Sequence, residues 1–373
     1  MRRTLLGVLV TLVGLGTLGT QTGGAQTASA QTRVQNSTQT GAQTSAQTSA
    51  QASAQASAQT SSAQRAAATS TYTPPKTPWG HPDLQGQYTN KDEANTPLER
   101  PDELKGRNAE DFTQAELAAL ITQRQALAAK IAGGIGGAET GAGPTHWYEH
   151  LQGSGSRPWL IVDPPDGKLP AFTPQAAKRE AAYAAMNNAR NGEGRADSWD
   201  DRSLYDRCIT RGLPGSMMPA IYGNAYEIVQ TPDSVAIRYE MIHETRIIPV
   251  DGRPHLPNVV RHYLGDARGR WEGNTLVVET TNFTNKTHFG YNNRYNSEKF
   301  RLVERFTPMG PGRLQWDVTF DDADTWVRPW TFTMPLTRDN EQQVFEYACH
   351  EGNRGLEHIL KGARADERAA GQR

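Results

Sequence analysis

From Tyr222 onward the chain is a succession of short runs of β-branched and aromatic residues cut by Gly, Pro, Asn and Asp, and this punctuation constrains the fold more than any other feature. The runs are AYEIVQT, SVAIRYEMIHETRIIPV, NVVRHYLG, NTLVVETTNF, EKFRLVERF, GRLQWDVTF, WVRPWTFTM and QQVFEYACHE. No helical period separates them and their connections are short, so they predict an antiparallel sheet that is closed or folded on itself. A lipocalin-like, calycin-type barrel is the preferred architecture, with a β-sandwich as the alternative. Gly273-Asn274, between Trp271 and Leu276, predicts a tight hairpin turn.

The chain ahead of this region differs in character. Residues 1–30 open with two arginines, a Gly-rich apolar run and small residues around Ala25 and Ala30, the pattern of a secretory signal peptide. Residues 31–71 repeat Ala-Gln-Thr and Ala-Gln-Ser-Ala units and predict a disordered linker, because they offer almost no apolar surface to offset chain entropy. A single globular domain over 72–365 follows, helical and extended over 72–221 and antiparallel β over 222–355. Apolar spacing predicts helices over 109–131 and around 174–192. The Gly-rich GGIGGAETGAG between them has no preceding strand and no following Lys-Ser/Thr, so it reads as a connection and not as a phosphate loop.

Net charge is −1, from 39 basic and 40 acidic residues with the signs interspersed. That balance gives no footprint for nucleic acid, and no stretch after the signal peptide is apolar enough for a membrane span. The two cysteines, Cys208 and Cys349, read as one disulfide in a secreted or periplasmic protein.

Strand side chains alternate faces, which sorts the charges. If residues 234–250 form one strand, Val235, Ile237, Tyr239, Met241 and His243 share the apolar face, while Arg238, Glu240, Glu244 and Arg246 face away. The same sorting puts Glu304 with Phe300, Leu302 and Phe306, and His262 with Val260 and Leu264. A histidine and a glutamate on the inner wall of a barrel suit acid–base work, and the plainer reading is an ion pair that fixes the fold. His243-Glu244 lacks the second histidine of the zinc-protease pattern, no histidine pair has ligand spacing, and no Gly-x-Ser-x-Gly elbow occurs, so neither metal nor cofactor is assigned. HFGYNNRYNSE mixes aromatic and amide side chains in the manner of a ligand-gripping loop.

The stretch GDARGRWEGNTLVVETTNF, with DGRPH upstream and LVERF and EYACHEGN downstream, resembles a large, functionally uncharacterised family of secreted bacterial proteins over residues 77–365, and GQYTN is similar to the start of calycin barrels. The resemblance implies a fold and a compartment and assigns no catalytic residue. The expected function is cofactor-independent acid–base chemistry on a small organic or sugar-like molecule in a barrel cavity, of lyase, hydrolase or isomerase type. His243 is the expected base, Glu304 its acid or orienting partner and Tyr239 a hydrogen-bond donor. Arg268, or Arg246 if a bulge or strand end turns it inward, is expected as an anion clamp at the rim, and His262, Tyr291, Asn293 and His350 as further substrate contacts. The alternatives are a non-catalytic binding protein for an apolar or aromatic ligand, and an envelope scaffold.

Overall fold

The computed structural model describes residues 72–135, 148–149, 155–188, 196–286, 288–289 and 294–371, with backbone alone at 131–135, 186–188, 243, 288–289 and 294–295. The expected signal peptide and linker lie outside the described residues.

The protein is mainly β. Its principal strands are β1 Gly86–Thr89, β2 Ile161–Asp163, β3 Ala225–Gln230, β4 Ser234–Tyr239, β5 Thr245–Pro249, β6 Asp266–Glu272 and β7 Thr275–Thr281. The short β8 His288–Phe289 and β9 Arg294–Tyr295 pair with each other, and β10 Arg301–Gly310, β11 Arg313–Asp321 and β12 Trp330–Arg338 complete the set. Nine strands run in the order β5-β4-β3-β1-β12-β11-β10-β7-β6, all paired antiparallel, with β2 added on β12. The end strands β5 and β6 approach each other, so the sheet is a nearly closed, lipocalin-like barrel. Gly269 of β6 makes this approach possible: a Cβ there would lie 2.7 Å from Val250 and 2.9 Å from Ile248.

Strand alternation places the core. Leu314, Trp316, Val318 and Phe320 of β11 point inward with Trp330, Phe332, Met334 and Leu336 of β12, all at most 1 % exposed. Phe320 and Trp330 stack with ring centroids 4.0 Å apart. Each such ring contributes about 1.5–3 kcal/mol by burial, so the strand faces and not the helices carry most of the stability.

Three helices flank the sheet in sequence: α1 Gln114–Ile135, α2 Pro174–Asn188 and α3 Arg354–Ala369. The first two match the expected helices near 109–131 and 174–192. Thr113 and Glu116 close a reciprocal cap on α1, with Thr113 N donating to Glu116 (2.9 Å) and Glu116 N to Thr113 Oγ1 (3.3 Å).

Several strand expectations are corrected. Residues 234–250 are not one strand but a hairpin, β4 and β5, turned at Met241–His243, where Ile242 adopts a left-handed conformation (φ 63°). The register Ile237↔Arg246 and the bond from Tyr239 N to Glu244 O (2.9 Å) fix the turn. NVVRHYLG forms no strand. Val259 is 83 % exposed, and only His262 pairs its backbone with Phe283. QQVFEYACHE forms none either, because neither of its parities is apolar and it has no face to bury. It is held instead by the Cys208–Cys349 disulfide and leads into α3, which runs past the expected domain end at 365. Conversely, Asp266–Glu272, absent from the expected strands, is β6, paired with β7 across the expected Gly273-Asn274 turn.

Candidate functional site

Two polar clusters stand out, one inside the barrel and one on its outer face. The inner cluster follows from the hairpin: folding back at Ile242 reverses parity, so Arg246 points into the lumen opposite Ile237. There its Nη2 donates to Glu304 Oε2 at 2.5 Å and to Thr280 Oγ1 at 3.1 Å, while Trp316 Nε1 donates to Glu304 Oε1 at 3.2 Å. The Arg246 and Glu304 side chains are 3 % and 0 % exposed. Tyr239 lies beside the guanidinium, but its hydroxyl makes no hydrogen bond of good geometry. Burial pushes the Tyr239 pKa upward against the pull of Arg246. Burial opposes the charge on Arg246, yet the adjacent Glu304 carboxylate and Tyr239 raise its pKa on balance. The cluster therefore spans the lumen from β5 to β7 and β10, strands that do not pair with β5, and ties the two ends of the sheet together.

This geometry relocates several expected site residues. Arg246 is not a clamp at the rim; it is enclosed and committed to Glu304. The partner given to Glu304 is Arg246, and the pair is closed to solvent. The side chain of His243, like Tyr291 and Asn293, lies outside the described residues. His262 and His350 are exposed, so His262 is not on a core side as alternation suggested.

The outer cluster assembles from DGRPH, GDAR and VVETTN. Gly265 turns the chain into β6 with φ 67°, at a point where a Cβ would lie 2.5 Å from the Thr281 carbonyl oxygen, so no larger residue fits. That corner sets Asp266 under the 250–264 loop. Asp266 Oδ2 faces His255 Nδ1 at 3.0 Å and accepts the Leu256 N–H at 2.8 Å, and Oδ1 accepts from Arg268 Nη1 at 2.6 Å. Arg268 also donates to the Pro254 carbonyl (2.9 Å), so it secures Asp266 and the loop and is not a free anion clamp. Asn282 Nδ2 anchors the same loop through the Leu256 carbonyl at 2.9 Å.

Across the imidazole, Nε2 lies 3.7 Å from Glu279 Oε1. Glu279 is held by Arg301 Nη2 at 2.5 Å, and Arg301 in turn reaches Asp321 at 3.5 Å. The hydrogen bond from Arg301 holds the Glu279 carboxyl below the usual range, against partial burial and with further help from the Arg301 and His255 charges. Asp266 is 6 % exposed, whereas His255 and Glu279 keep about a quarter of their side chains open, at 27 % and 26 %. The arrangement is an imidazole oriented on one nitrogen by a buried carboxylate and turned outward on the other. Such a group can take and return a proton.

Sequence reasoning missed this cluster because DGRPH and GDARGRWEGN look like solvated turns. The usable signal was parity in β7: Leu276, Val278 and Thr280 face in, so Glu279 and Thr281 face out together, with Arg268 opposite Glu279 on β6. Among the described residues no three His, Cys, Asp or Glu side chains group as metal ligands, and no helix is long and apolar enough to cross a membrane. No known protein family, curated protein or solved structure matches this chain. The resemblance read from the sequence therefore rests on its motif alone.

Proposed function

We propose that this protein is an exported acid–base enzyme that acts on a small organic or sugar-like molecule at the outer-face cluster, with His255 as the proton-transferring group. The observation that carries this reading is the 3.0 Å contact between His255 Nδ1 and Asp266, a carboxylate itself fixed by Leu256 N and Arg268. A proton held on Nδ1 toward Asp266 leaves the lone pair on Nε2 facing Glu279 and solvent. Nε2 then removes a proton from an acidic C–H or from an attacking water, Asp266 stabilises the imidazolium so formed, and the same proton passes to the leaving atom or to a neighbouring atom on the same face of the substrate. Glu279, kept ionised by Arg301, is placed to accept a substrate hydroxyl. The lumen pair takes the structural part. Export is supported by the Cys208–Cys349 disulfide together with the signal-like first 30 residues.

The test is a panel of esters, lactones and sugar acids, followed for hydrolysis and for solvent deuterium exchange, with wild type beside His255→Gln. The reading expects any activity found to fall about 100-fold or more in the variant at unchanged melting temperature. Activity that survives His255→Gln overturns it.

A further inference from the structure

At the end of the barrel remote from His255, residues 72–84 and the β10–β11 turn line a half-open cavity of about 180 Å³. The two places are separated by the length of β10: Arg301, which holds Glu279, begins the strand, and Gly310, which lines the cavity, ends it, about 30 Å away for an extended strand of this length. We propose that this cavity is a second, independent binding site for a small monocarboxylate.

Its walls are mixed, with proline and tyrosine rings standing beside the charged side chains of Asp83, Arg313 and Arg338. Leu84 and Leu314 are each 1 % exposed and Tyr88 4 %, and prolines, among them Pro75 and Pro308, supply much of the remainder. At about 180 Å³ the space is below the roughly 300–1,000 Å³ that drug-sized ligands occupy, so the occupant is limited to one ring or a short chain. Its charge is set by Arg313 and Arg338 against a single acid, Asp83, whose Oδ1 already accepts from the Gln85 backbone and side chain at 3.0 and 3.2 Å.

Arg338 is the built element. Its guanidinium lies 5.4 Å from the Tyr88 ring centroid, and its two hydrogen bonds, to the Gln85 carbonyl and to Tyr88 Oη at 3.1 Å, both leave from Nη2. Its Nε is buried with no hydrogen-bond partner. Because Tyr88 Oη accepts from Arg338, its own O–H is free to donate. A guanidinium and a phenol along one cavity wall, with proline surface beside them, are the groups by which a protein recognises a small carboxylate.

The probe is benzoate, compared with benzamide, which has the same shape and no charge. Calorimetric titration of the full chain is expected to give saturable benzoate binding with Kd about 1 mM or tighter, and benzamide about 10-fold weaker or more. Arg313→Glu, at an exposed position, and Tyr88→Phe, which removes one oxygen, should each weaken benzoate about 10-fold while circular dichroism stays native. His255→Gln should bind benzoate as wild type does, which separates this site from the proposed catalytic one. Absence of saturable binding up to about 10 mM, equal affinity for benzamide, or benzoate affinity unchanged in both Arg313→Glu and Tyr88→Phe would each overturn the proposal.

Discussion

Removing one partner of the Arg246–Glu304 pair should be among the most damaging single changes available in the barrel. The charges sit 2.5 Å apart with side chains 3 % and 0 % exposed. In Arg246→Met the Glu304 carboxylate keeps only the Trp316 N–H; in Glu304→Leu the guanidinium keeps only Thr280, with Nε and Nη1 still without partners. Breaking a buried pair costs about 3–5 kcal/mol, because the survivor is a desolvated charge, and that is a large share of the roughly 5–15 kcal/mol that hold a domain folded. The double variant Arg246→Met/Glu304→Leu removes both charges at similar volume. It leaves unmatched the Trp316 N–H and the Thr280 hydroxyl, so its loss should be about 1–2 kcal/mol, less than either single variant. Urea unfolding of the four proteins at neutral pH measures the cycle. Single variants within about 1 kcal/mol of wild type, or a double variant that loses the sum of the singles, would refute the reasoning.

Three further outcomes follow from the structure. Cys208 and Cys349 are 141 residues apart, so reduction or Cys208→Ser should lower stability by up to about 5 kcal/mol, with limited proteolysis cutting first between 340 and 371. Gly265→Ala, which meets the Thr281 carbonyl at 2.5 Å, should cost more than about 2 kcal/mol by thermal unfolding, whereas Gly252→Ala, also at positive φ but with nothing within 4 Å, should cost about 1 kcal/mol. The Glu279 carboxyl has its folded pKa depressed by Arg301, so its contribution is present above the unfolded value near 4.5 and is lost as pH falls through the folded value. Glu279→Gln should therefore flatten the acid limb of urea midpoint against pH, and a limb identical to wild type would contradict the pairing.

The barrel was legible in the chain because alternation is strict where strands are buried on one face. GRLQWDVTF sorts itself without help, and the Gly273-Asn274 turn and both early helices were marked by local chemistry. What was not legible depended on the rest of the fold. The β4–β5 hairpin turns at Ile242, a β-branched residue in a conformation that Gly or Asn usually announces, so the segment read as one strand and Arg246 was assigned to the wrong face. The glycines and charges of GDARGRWEGN resembled loop composition, yet Gly265 and Gly269 are required by close packing against Thr281 and the β5 side, and Asp266 and Arg268 by the loop above them. His255 gained its partners through that loop, and no spacing in DGRPH reveals them.

The claim that His255 is a base oriented by Asp266 can be measured without knowing the substrate. Imidazole nitrogen NMR of the resting protein at pH about 8 should show His255 protonated at Nδ1 with Nε2 bare, and Asp266→Asn should abolish that preference. A ring protonated at Nε2 and bonded to Glu279 would leave no basic nitrogen facing outward, and the proposed chemistry would fail.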